Sequence, residues 1–421
     1  MSASDQSSGT RPIILSAYAC EPNRGSEPEV GWRVALEMAK HGRVIAITRA
    51  NNRKVIEAEL AQCSDPRPEF VYYDLPAWAL WVKKKFSAIT LYYVLWQVTV
   101  PWVFRKLVND ARLIHHVTFN GFQLPGVWIG TSAPILLGPL GGGMTTAPDY
   151  LPLFGKAQRT EQLRTLMVRA VSWMPWWRLT MAHADRVLAA NEETRGLLDS
   201  HAARGVGTLL ETGICEDQLI SDPVPERSGE GPLKVIWLGN LMPRKSPELA
   251  IRALQHALEG GADVTLTIAG DGVERERVEA LVAETGMEKS CRLIGRVPKE
   301  NVTALMDDHE AFLFTSVRDT SGNVVLEAMS RALPVITIQH QGVAEICDAE
   351  GAELVPPGTI SETVKGLGQA LSRLAADRNR SRAMGLAGRE RIRKHFTWVR
   401  YGREISAIYQ QLAPEENQKK N

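Results

Sequence analysis

The chain has 421 residues, of which 44% are hydrophobic and 23% are charged, and its formal net charge is +1. This composition excludes a mainly disordered chain and a strongly basic nucleic-acid-binding protein. The five cysteines are scattered and none forms a CxxC pair, which indicates a reducing cytoplasmic setting without a disulfide framework or zinc site. Residues 1–11 are polar and predict a disordered N-terminus without a secretory signal.

Strand and helix patterns alternate in the first half of the chain. We predict a helix at 30–40 and strands at 13–18, 44–48, 113–119, 134–137 and 186–190. This alternation is typical of a parallel α/β sheet, so residues 12–220 are expected to form one such domain.

The segment from Phe86 to Phe104 has no charged residue, and it lies between Lys83-Lys84-Lys85 and Arg105-Lys106. Its length is sufficient to span a bilayer, but Ser, Thr and Gln residues and Pro101 interrupt it. Three interpretations stay open: half-buried helices of a globular domain, a face lying on a membrane surface, or a true span.

A Pro- and Gly-rich linker is expected at 221–233, and the α/β pattern starts again after it. Residues 234–398 should form a second domain, and a helix over 399–413 could return to the first. The tail, 414–421, is polar and expected to fray. Predicted strands lie at 234–238, 264–269, 291–294, 311–314 and 335–338, and predicted helices at 247–259, 273–285, 300–307, 324–331 and 361–375.

Two turns in the second half could hold a phosphate group. The first contains Gly239, Asn240, Arg244 and Lys245, and the second contains Gly270. Backbone amides and a cation just before a helix suit an anion, and glycine permits the tight turn. From the residues alone, a solvated basic turn and an ordinary strand-to-helix turn remain open alternatives.

A third pattern combines two carboxylates eight residues apart, Asp319 and Glu327, with the small residues between them. Ser321, Gly322, Asn323 and Val324 start a predicted helix, whose N-terminal amides attract an anion. Carboxylates accept hydrogen bonds from sugar hydroxyls. The pattern therefore fits a ligand with a sugar and a phosphate, or else an ordinary capped helix with an exposed aspartate.

The order GN-x3-RK, GDG, Asp-x7-Glu-Ala-Met and Gly342-Val343-Ala344-Glu345-Ile346 resembles the C-terminal half of family-4 retaining glycosyltransferases. The first half is similar to a subgroup of the same family through residues 25–32, 115–119 and 138–143. The resemblance implies the α/β GT-B fold, in which two Rossmann-like domains face each other across a cleft.

The resemblance also implies roles for the second-half residues. Lys245 would contact the donor diphosphate, Glu327 the ribose hydroxyls and Asp319 the donor sugar. The amides from Ser321 to Val324 would meet the sugar and phosphates, and the backbone at Arg296 and Val297 would read the base. Gly239, Asn240, Arg244 and Gly270 would complete the donor site.

Two residues depart from the family pattern. Asn240 replaces an arginine that usually helps to hold the diphosphate, and Asp319 replaces a glutamate. One fewer cation weakens the stabilisation of the leaving group, and the shorter acid reaches less far toward the sugar. Arg244 is a candidate replacement for the missing cation.

In the first half, the resemblance places His116 near the donor sugar, with His115 as the competing choice because neighbouring strand residues face opposite ways. It also brings Gly25 and Ser26 close to the reacting sugar. The triplet Gly141-Gly142-Gly143 would line the acceptor side, or else act as a flexible hinge.

The expected activity is retaining transfer of a hexosyl group from a nucleotide-diphosphate sugar, UDP- or GDP-linked, to a hydroxyl acceptor. The acceptor would be a glycan or lipid-linked glycan of cell-surface polysaccharide, with no metal, cofactor or nucleic acid involved. Membrane-surface contact through 78–106 is expected because tryptophans are concentrated there, beside lysines. The alternatives are a non-catalytic glycan- or nucleotide-binding relative and a nucleotide-sugar epimerase.

Overall fold

The structure is a computed structural model that describes residues 11–86, 89–199, 201–202, 204–222, 224 and 229–414. Residues 1–10 of the predicted disordered start, 223 and 225–228 of the predicted linker and 415–421 of the predicted tail therefore lie outside the described residues. The described chain divides into two units. The first contains residues up to Gly143, Arg169–Glu211 and the chain from Trp398, and the second contains Met144–Val168 and Thr212–Thr397.

The first unit is built on a seven-stranded parallel sheet with the order β3-β2-β1-β4-β5-β6-β7. Its strands are β1 (Ile13–Ser16), β2 (Val44–Thr48), β3 (Glu69–Tyr72), β4 (Leu113–His116), β5 (Ile135–Leu140), β6 (Arg186–Ala189) and β7 (Val206–Thr208). Its helices are α1 (Ser26–Ala39), α2 (Arg53–Leu60), α3 (Ala77–Phe86), α4 (Ile89–Val103), α5 (Arg105–Asn109), α7 (Pro175–His183), α8 (Glu192–Leu198) and α16 (Trp398–Leu412), while α6 (Gln158–Ala170) crosses the boundary between the units. The central strands β1, β2, β4 and β5 are buried along their whole length, as expected for a parallel sheet covered on both faces.

The second unit has a six-stranded parallel sheet with the order β10-β9-β8-β11-β12-β13. Its strands are β8 (Leu233–Leu238), β9 (Val264–Ala269), β10 (Cys291–Gly295), β11 (Ala311–Phe314), β12 (Val335–Ile338) and β13 (Ala352–Val355). Its helices are α9 (Pro247–Glu259), α10 (Arg275–Glu284), α11 (Lys299–Asp307), α12 (Asn323–Ser330), α13 (Gln341–Ile346), α14 (Ile360–Ala376) and α15 (Arg378–His395).

The segment 144–168 belongs to the second unit, whereas the sequence analysis placed it in the first domain. Its 3₁₀ stretch, Pro148–Ala157, buries Tyr150, Leu153 and Phe154 in the apolar core beneath β8 and β9. The Tyr150 hydroxyl lies 2.9 Å from Thr363 Oγ1 and accepts a hydrogen bond from the Gly358 amide. The prediction that residues 12–220 form one continuous domain is therefore wrong for 144–168, because the aromatic side chains of this segment pack in the core of the second unit.

Helix α16 packs with α1 in the first unit. Gly402 of α16 has no side chain where Glu37 of α1 approaches, and the Tyr409 hydroxyl lies 2.7 Å from His115 Nδ1 on β4. Arg112 donates hydrogen bonds to the Ala413 carbonyl and to Gln410. The last helix thus contributes directly to the folding of the first unit.

The apolar stretch after Lys85 forms part of two separate helices, α3 and α4, which pack against each other. Tyr92, Tyr93, Trp96 and Val100 are buried on the inner side of α4. No helix within the described ranges combines the length and the apolar character that a bilayer crossing requires. Helix α4 has 15 residues, whereas a transmembrane helix needs about 20.

We expect Leu153→Ala to destabilise the second unit by about 3 kcal/mol, because it leaves a cavity at a side chain that is only 4% exposed. Amide hydrogen exchange should show the loss in β8 and β9. The matched control is Leu163→Ala on α6, which removes the same atoms from a residue 56% exposed and should change stability by less than about 0.5 kcal/mol. Equal losses from both variants would contradict the assignment of this segment to the core.

Candidate donor site and the first-unit histidines

The strand order of the second sheet reverses between β8 and β11, since the chain runs outward through β9 and β10 on one side and through β12 and β13 on the other. Such a reversal leaves an open crevice at the carboxyl ends of the two central strands, where α/β proteins bind ligands. The loops that leave these strands are 239–246 and 315–322. They contain six of the twelve predicted donor-binding residues, together with Asp319, so the topology brings the two separate motifs together.

Lys245 and Asp319 form an ion pair at this crevice through Nζ and Oδ2. Arg244 joins them, with its Nη1 atom 3.7 Å from Asp319 Oδ1 and 3.2 Å from the Arg318 carbonyl oxygen. Burial lowers the pKa of Lys245, an effect reinforced by Arg244 and Arg318 and opposed by Asp319. The site thus holds two cations around a single carboxylate, all three side chains being 30% exposed or less.

Hydrogen bonds hold the two loops against each other. Thr315 Oγ1 donates toward the carbonyl oxygens of Lys245 and Ser246, at 3.0 and 2.9 Å, and accepts from the Trp237 indole at 2.9 Å. The Val317 amide donates to the Arg244 carbonyl at 2.9 Å. Because these groups are buried, the backbone that carries Lys245 is tied to the backbone that carries Asp319.

Gln341, which the sequence analysis did not identify as a site residue, supports the Asp319 loop. Its Oε1 atom accepts from the Asp319 amide at 2.9 Å, and its Nε2 atom donates to the Thr145 carbonyl at 2.9 Å. At the neighbouring Gly342, a Cβ atom would lie 1.7 Å from the Thr320 carbonyl oxygen. The requirement for a small residue here explains the glycine of the Gly342–Ile346 motif.

A second support, also missed from the sequence, is the buried Glu161 on α6. Its carboxylate accepts hydrogen bonds from Arg164 and Thr146, and its Oε1 atom lies 3.0 Å from Arg318 Nε. Burial acts to raise the pKa of Glu161, but these hydrogen bonds and the arginine charges outweigh it and lower the pKa. No sequence pattern predicts this contact, because Glu161 and Arg318 are far apart in the chain.

Helix α12 begins at the same crevice. Gly322 caps it with a φ of 65°, a conformation that favours glycine, and Ser321 Oγ lies 2.8 Å from Asn323 Oδ1. The first amides of a helix, here those of Asn323 and Val324, have no helical acceptor and carry partial positive charge. The predicted set Ser321–Val324 therefore lies at the start of a helix, directly after Asp319.

Glu327 lies on α12, one turn into the helix. Burial raises the pKa of its carboxyl group, and the Lys299 ammonium opposes that shift. Within the part of the chain that the structure describes, no hydrogen bond reaches its carboxylate. A half-buried acid of this kind is able to accept hydrogen bonds from ligand hydroxyls.

The remaining residues that are predicted to bind the donor lie at the carboxyl ends of neighbouring strands in the second unit. Gly239 and Gly270 meet where β8 and β9 end, and a Cβ atom on Gly270 would lie 1.8 Å from the Gly239 carbonyl oxygen. Asn240 is exposed in the loop after β8. Arg296 and Val297 follow β10, with Arg296 exposed.

In the first unit, both histidines of β4 are fully buried. His116 lies at the carboxyl end of β4, with Nδ1 3.1 Å from Ser16 Oγ and Nε2 3.2 Å from the Tyr93 hydroxyl. His115 contacts Tyr409 and the Gly138 carbonyl. Protein groups contact both ring nitrogens of His116 and none of its surface is exposed. That His116 contacts a ligand stays a prediction. His115, the competing choice, is enclosed in the same way.

The predicted acceptor-side residues Gly25, Ser26, Gly141 and Gly142 lie at the carboxyl edge of the first unit's sheet, as His116 does. Gly25 (φ 72°) and Ser26 (φ 53°) start α1, and Gly141 exchanges backbone hydrogen bonds with residues 120 and 122. Gly142 has a φ of 85°. The hydrogen bonds at Gly141 argue against a freely flexible hinge. Glu27, which the sequence analysis did not identify, accepts from the Phe119 amide at this edge, and burial raises its pKa although that amide opposes the shift.

Among the described residues, no group of three or more His, Cys, Asp or Glu side chains is placed to hold a metal ion. The charged side chains at the second-unit crevice are those of Arg244, Lys245 and Asp319.

Comparisons with known proteins show what this chain is similar to. The sequence profile of "Glycosyl transferases group 1" matches residues 221–391. The chain is 26% identical over 196 residues to WcaL of Escherichia coli (strain K12), a glycosyltransferase named for colanic acid biosynthesis; the match covers 45% of this chain and 48% of WcaL. It is also 26% identical over 309 residues to a GDP-mannose-dependent phosphatidylinositol monomannoside mannosyltransferase of Mycolicibacterium smegmatis, covering 67% of this chain and 75% of that protein. The chain thus spans about half the length of WcaL.

Solved structures show the same fold. HepE from Anabaena, whose structure contains UDP and glucose, superposes with a TM-score of 0.61 at 15% identity, covering 96% of this chain and 100% of HepE. These findings confirm the predicted resemblance to GT-B glycosyltransferases and the predicted fold. The cleft between the two domains stays a prediction.

The two buried histidines predict an acid-sensitive first unit. Burial lowers the pKa of His115 to about 4, and burial together with His115 lowers that of His116 to about 3. The unfolded chain binds protons below a pH of about 6.5 while the folded chain does not, so stability falls as the pH drops from 7 toward 4. At pH 5 each histidine should cost on the order of 2 kcal/mol.

Imidazole NMR resonances should therefore show both rings neutral at pH 5. Denaturant unfolding should show a fall in stability between pH 7 and pH 5 that is shallower in His115→Asn, which removes one titrating group. Imidazolium signals from both rings at pH 5 in the folded protein would contradict the burial described here.

Proposed function

Because residues 221–391 match the profile of glycosyl transferases group 1 and the chain has the GT-B fold, we propose that this protein is a retaining glycosyltransferase. It transfers a hexosyl group from a nucleotide-diphosphate sugar to a hydroxyl group. The observation that carries the proposal is the convergence of Arg244, Lys245, Asp319 and the N-terminus of α12 at the strand-order reversal of the second sheet.

Each group at this crevice has a defined part in the proposed reaction. Lys245, assisted by Arg244, binds the diphosphate and stabilises the charge that develops when the bond between the anomeric carbon and the phosphate oxygen breaks. The first amides of α12 bind the same anion. These positive groups take the place of a metal ion, so the reaction is proposed to be metal-independent.

The two carboxylates hold the hydroxyl groups of the donor. Asp319 accepts from the sugar, and Glu327 accepts from the ribose. The Glu327 carboxylate is half-buried and has no hydrogen-bond partner among the described residues, which supports this role. The backbone at Arg296 and Val297 is the proposed contact for the base.

Asn240 leaves the site without the cation that the family usually has there. The 3.7 Å separation between Arg244 and Asp319 supports the hypothesis that Arg244 replaces it, because the guanidinium points to the same carboxylate as Lys245. Arg244 would then share the diphosphate with Lys245.

The donor is proposed to be a UDP- or GDP-sugar. HepE is solved with UDP and glucose, and the mycobacterial mannosyltransferase is named as GDP-mannose-dependent. The acceptor is proposed to be a glycan or lipid-linked glycan of cell-surface polysaccharide, since WcaL is named for colanic acid biosynthesis and the mycobacterial relative for a phosphatidylinositol mannoside. A cytoplasmic location is proposed.

The proposed donor site predicts thermal stabilisation by one nucleotide family in a metal-free panel of UDP, GDP, ADP, dTDP and their common sugars. A ligand at one hundred times its Kd stabilises the folded state by about 2.7 kcal/mol. Lys245→Ala and Glu327→Gln should abolish the shift. The matched controls, Lys289→Ala and Glu284→Gln, change exposed residues and should retain it. The absence of a shift with every compound would contradict the proposed site.

The pairing of Asp319 with Lys245 predicts that Asp319→Asn has opposite effects on the affinity for the nucleoside diphosphate and on the preference for the sugar attached to it. In Asp319→Asn, affinity for the nucleoside diphosphate alone should be retained or increased, because Lys245 loses its competing anion. The preference for the sugar-linked form should fall about tenfold, because a charged acceptor for sugar hydroxyls is lost. Calorimetric titration of both ligands measures this. Equal losses for both ligands would show that Asp319 supports the loop and does not contact the sugar.

The reaction products distinguish the proposed transferase from the two alternatives, a non-catalytic binding protein and an epimerase. A non-catalytic binding protein would show the thermal shift but no slow hydrolysis of the donor, whereas a transferase releases some nucleoside diphosphate to water. An epimerase would return a donor with an altered sugar and an intact nucleotide linkage.

A further inference from the structure

Helix α4 presents an apolar stripe to the outside of the first unit. Leu91, Leu95, Val98 and Trp102 are spaced four, three and four residues apart, which places them on one side of a helix. Their exposed fractions are 55%, 38%, 44% and 81%. An outward stripe of large apolar side chains is unusual on a helix that already has a buried side.

The opposite side of α4 fixes this orientation. The Tyr92 hydroxyl donates to Asp74 at 2.9 Å, and the Trp96 indole donates to the Tyr73 carbonyl at 2.9 Å. The Tyr93 hydroxyl donates to the Phe119 carbonyl at 3.0 Å. These bonds anchor the helix to the segments that follow β3 and β4, so the outward stripe cannot turn inward without breaking them.

Two neighbouring segments add tryptophans. On α3, Trp78 and Trp81 are 65% and 56% exposed, and the Lys85 ammonium lies 4.6 Å from the centre of the Trp81 ring. Trp173 is 76% exposed and lies just before α7, on which Trp176 is 41% exposed.

The buried Trp177 of α7 donates to the Phe122 carbonyl at 2.8 Å. Helices α4 and α7 are thus both anchored to the segment 119–124. We call the exposed residues of these segments the aromatic face: Trp78, Trp81, Leu91, Leu95, Val98, Trp102, Trp173 and Trp176.

The chain segments that carry the aromatic face contain basic residues and no acidic ones. The sequence has no Asp or Glu from Leu75 to Asn109, where it has five Lys or Arg residues, and none from Arg169 to Ala184. Arg105 and Lys106 are exposed directly after α4. A protein partner or a second copy of this chain would have to cover this apolar surface without any acidic group in these segments to pair with.

We propose that the aromatic face docks onto the surface of an anionic lipid bilayer. Tryptophan rings favour the boundary between headgroups and acyl chains, and lysine and arginine side chains bind anionic headgroups. The outward leucine, valine and tryptophan side chains would enter the outer acyl region, as those of surface-lying helices do. This arrangement requires no spanning helix.

The proposal deepens the proposed function and rests on it in one respect, the lipid-linked nature of the acceptor. Because α4 is bonded to the segments that follow β3 and β4, it lies at the carboxyl edge of the first sheet. Gly25, Ser26 and Gly141 lie at the same edge. Docking there would bring that edge close to a hydroxyl carried on a lipid.

The test is flotation of the full chain with vesicles of phosphatidylcholine alone or with 30% phosphatidylglycerol, in the absence of donor. We expect binding to the anionic vesicles that weakens about tenfold or more when salt is raised, because screening reduces headgroup attraction. Leu95→Glu and Trp102→Glu should each reduce the partition about tenfold or more, because a carboxylate would enter the acyl region. Both residues are exposed, so the fold should tolerate these changes.

Val55→Glu is the matched control, since it places the same charge on α2 at a residue 44% exposed, outside the aromatic face. Equal binding of all variants, or no binding of the wild type, would overturn the proposal. Self-association that is lost in Trp102→Glu, without vesicle binding, would overturn it in favour of a second copy. The donor-induced thermal shift is measured without lipid, so its loss would count against the proposed function alone.

Discussion

The reversal of strand order in each parallel sheet is the constraint on which the rest of the structure depends. A parallel sheet leaves its strand ends open only where the chain leaves in opposite directions from two adjacent strands. In the second unit that point lies between β8 and β11, and in the first it lies between β1 and β4. Residues that the chain separates by about seventy positions, such as Lys245 and Asp319, meet for this reason.

The crevice in the second unit shows how a site for a polyanion is kept stable when empty. Two cations with no anion between them would repel each other in a partly buried loop. Asp319 offsets this cost by pairing with Lys245 and lying near Arg244. Gln341 and the Glu161–Arg318 contact hold the Asp319 loop in place.

Much of the second unit could be predicted from the sequence, because its strands and motifs can be recognised from short continuous stretches of residues. Strands such as β9 and β11 are short apolar runs bounded by turns, and the Lys245 and Glu327 motifs are continuous in the chain. The helix α15 was missed because its polar and glycine-rich sequence, RNRSRAMGLAGRERIRKH, buries only a narrow strip, where Gly385 packs closely on the Ala332 carbonyl. The enclosure of His116 and the supporting contacts of Gln341 and Glu161 depend on residues distant in sequence, which periodicity does not reveal.

The course of the chain between the units has a consequence for biosynthesis. The polypeptide passes from one unit to the other after Gly143, Val168, Glu211 and Thr397. Helix α16, which follows the last of these passages, contains Tyr409, whose hydroxyl contacts His115 on β4. The first unit begins to emerge from the ribosome long before that helix does. Strand β4 must therefore wait, with one nitrogen of the buried His115 ring without its partner, until helix α16 has been synthesised. Exchange of whole units between related genes would need several simultaneous crossovers, so such enzymes should diversify by point substitution in their loops more readily than by recombination.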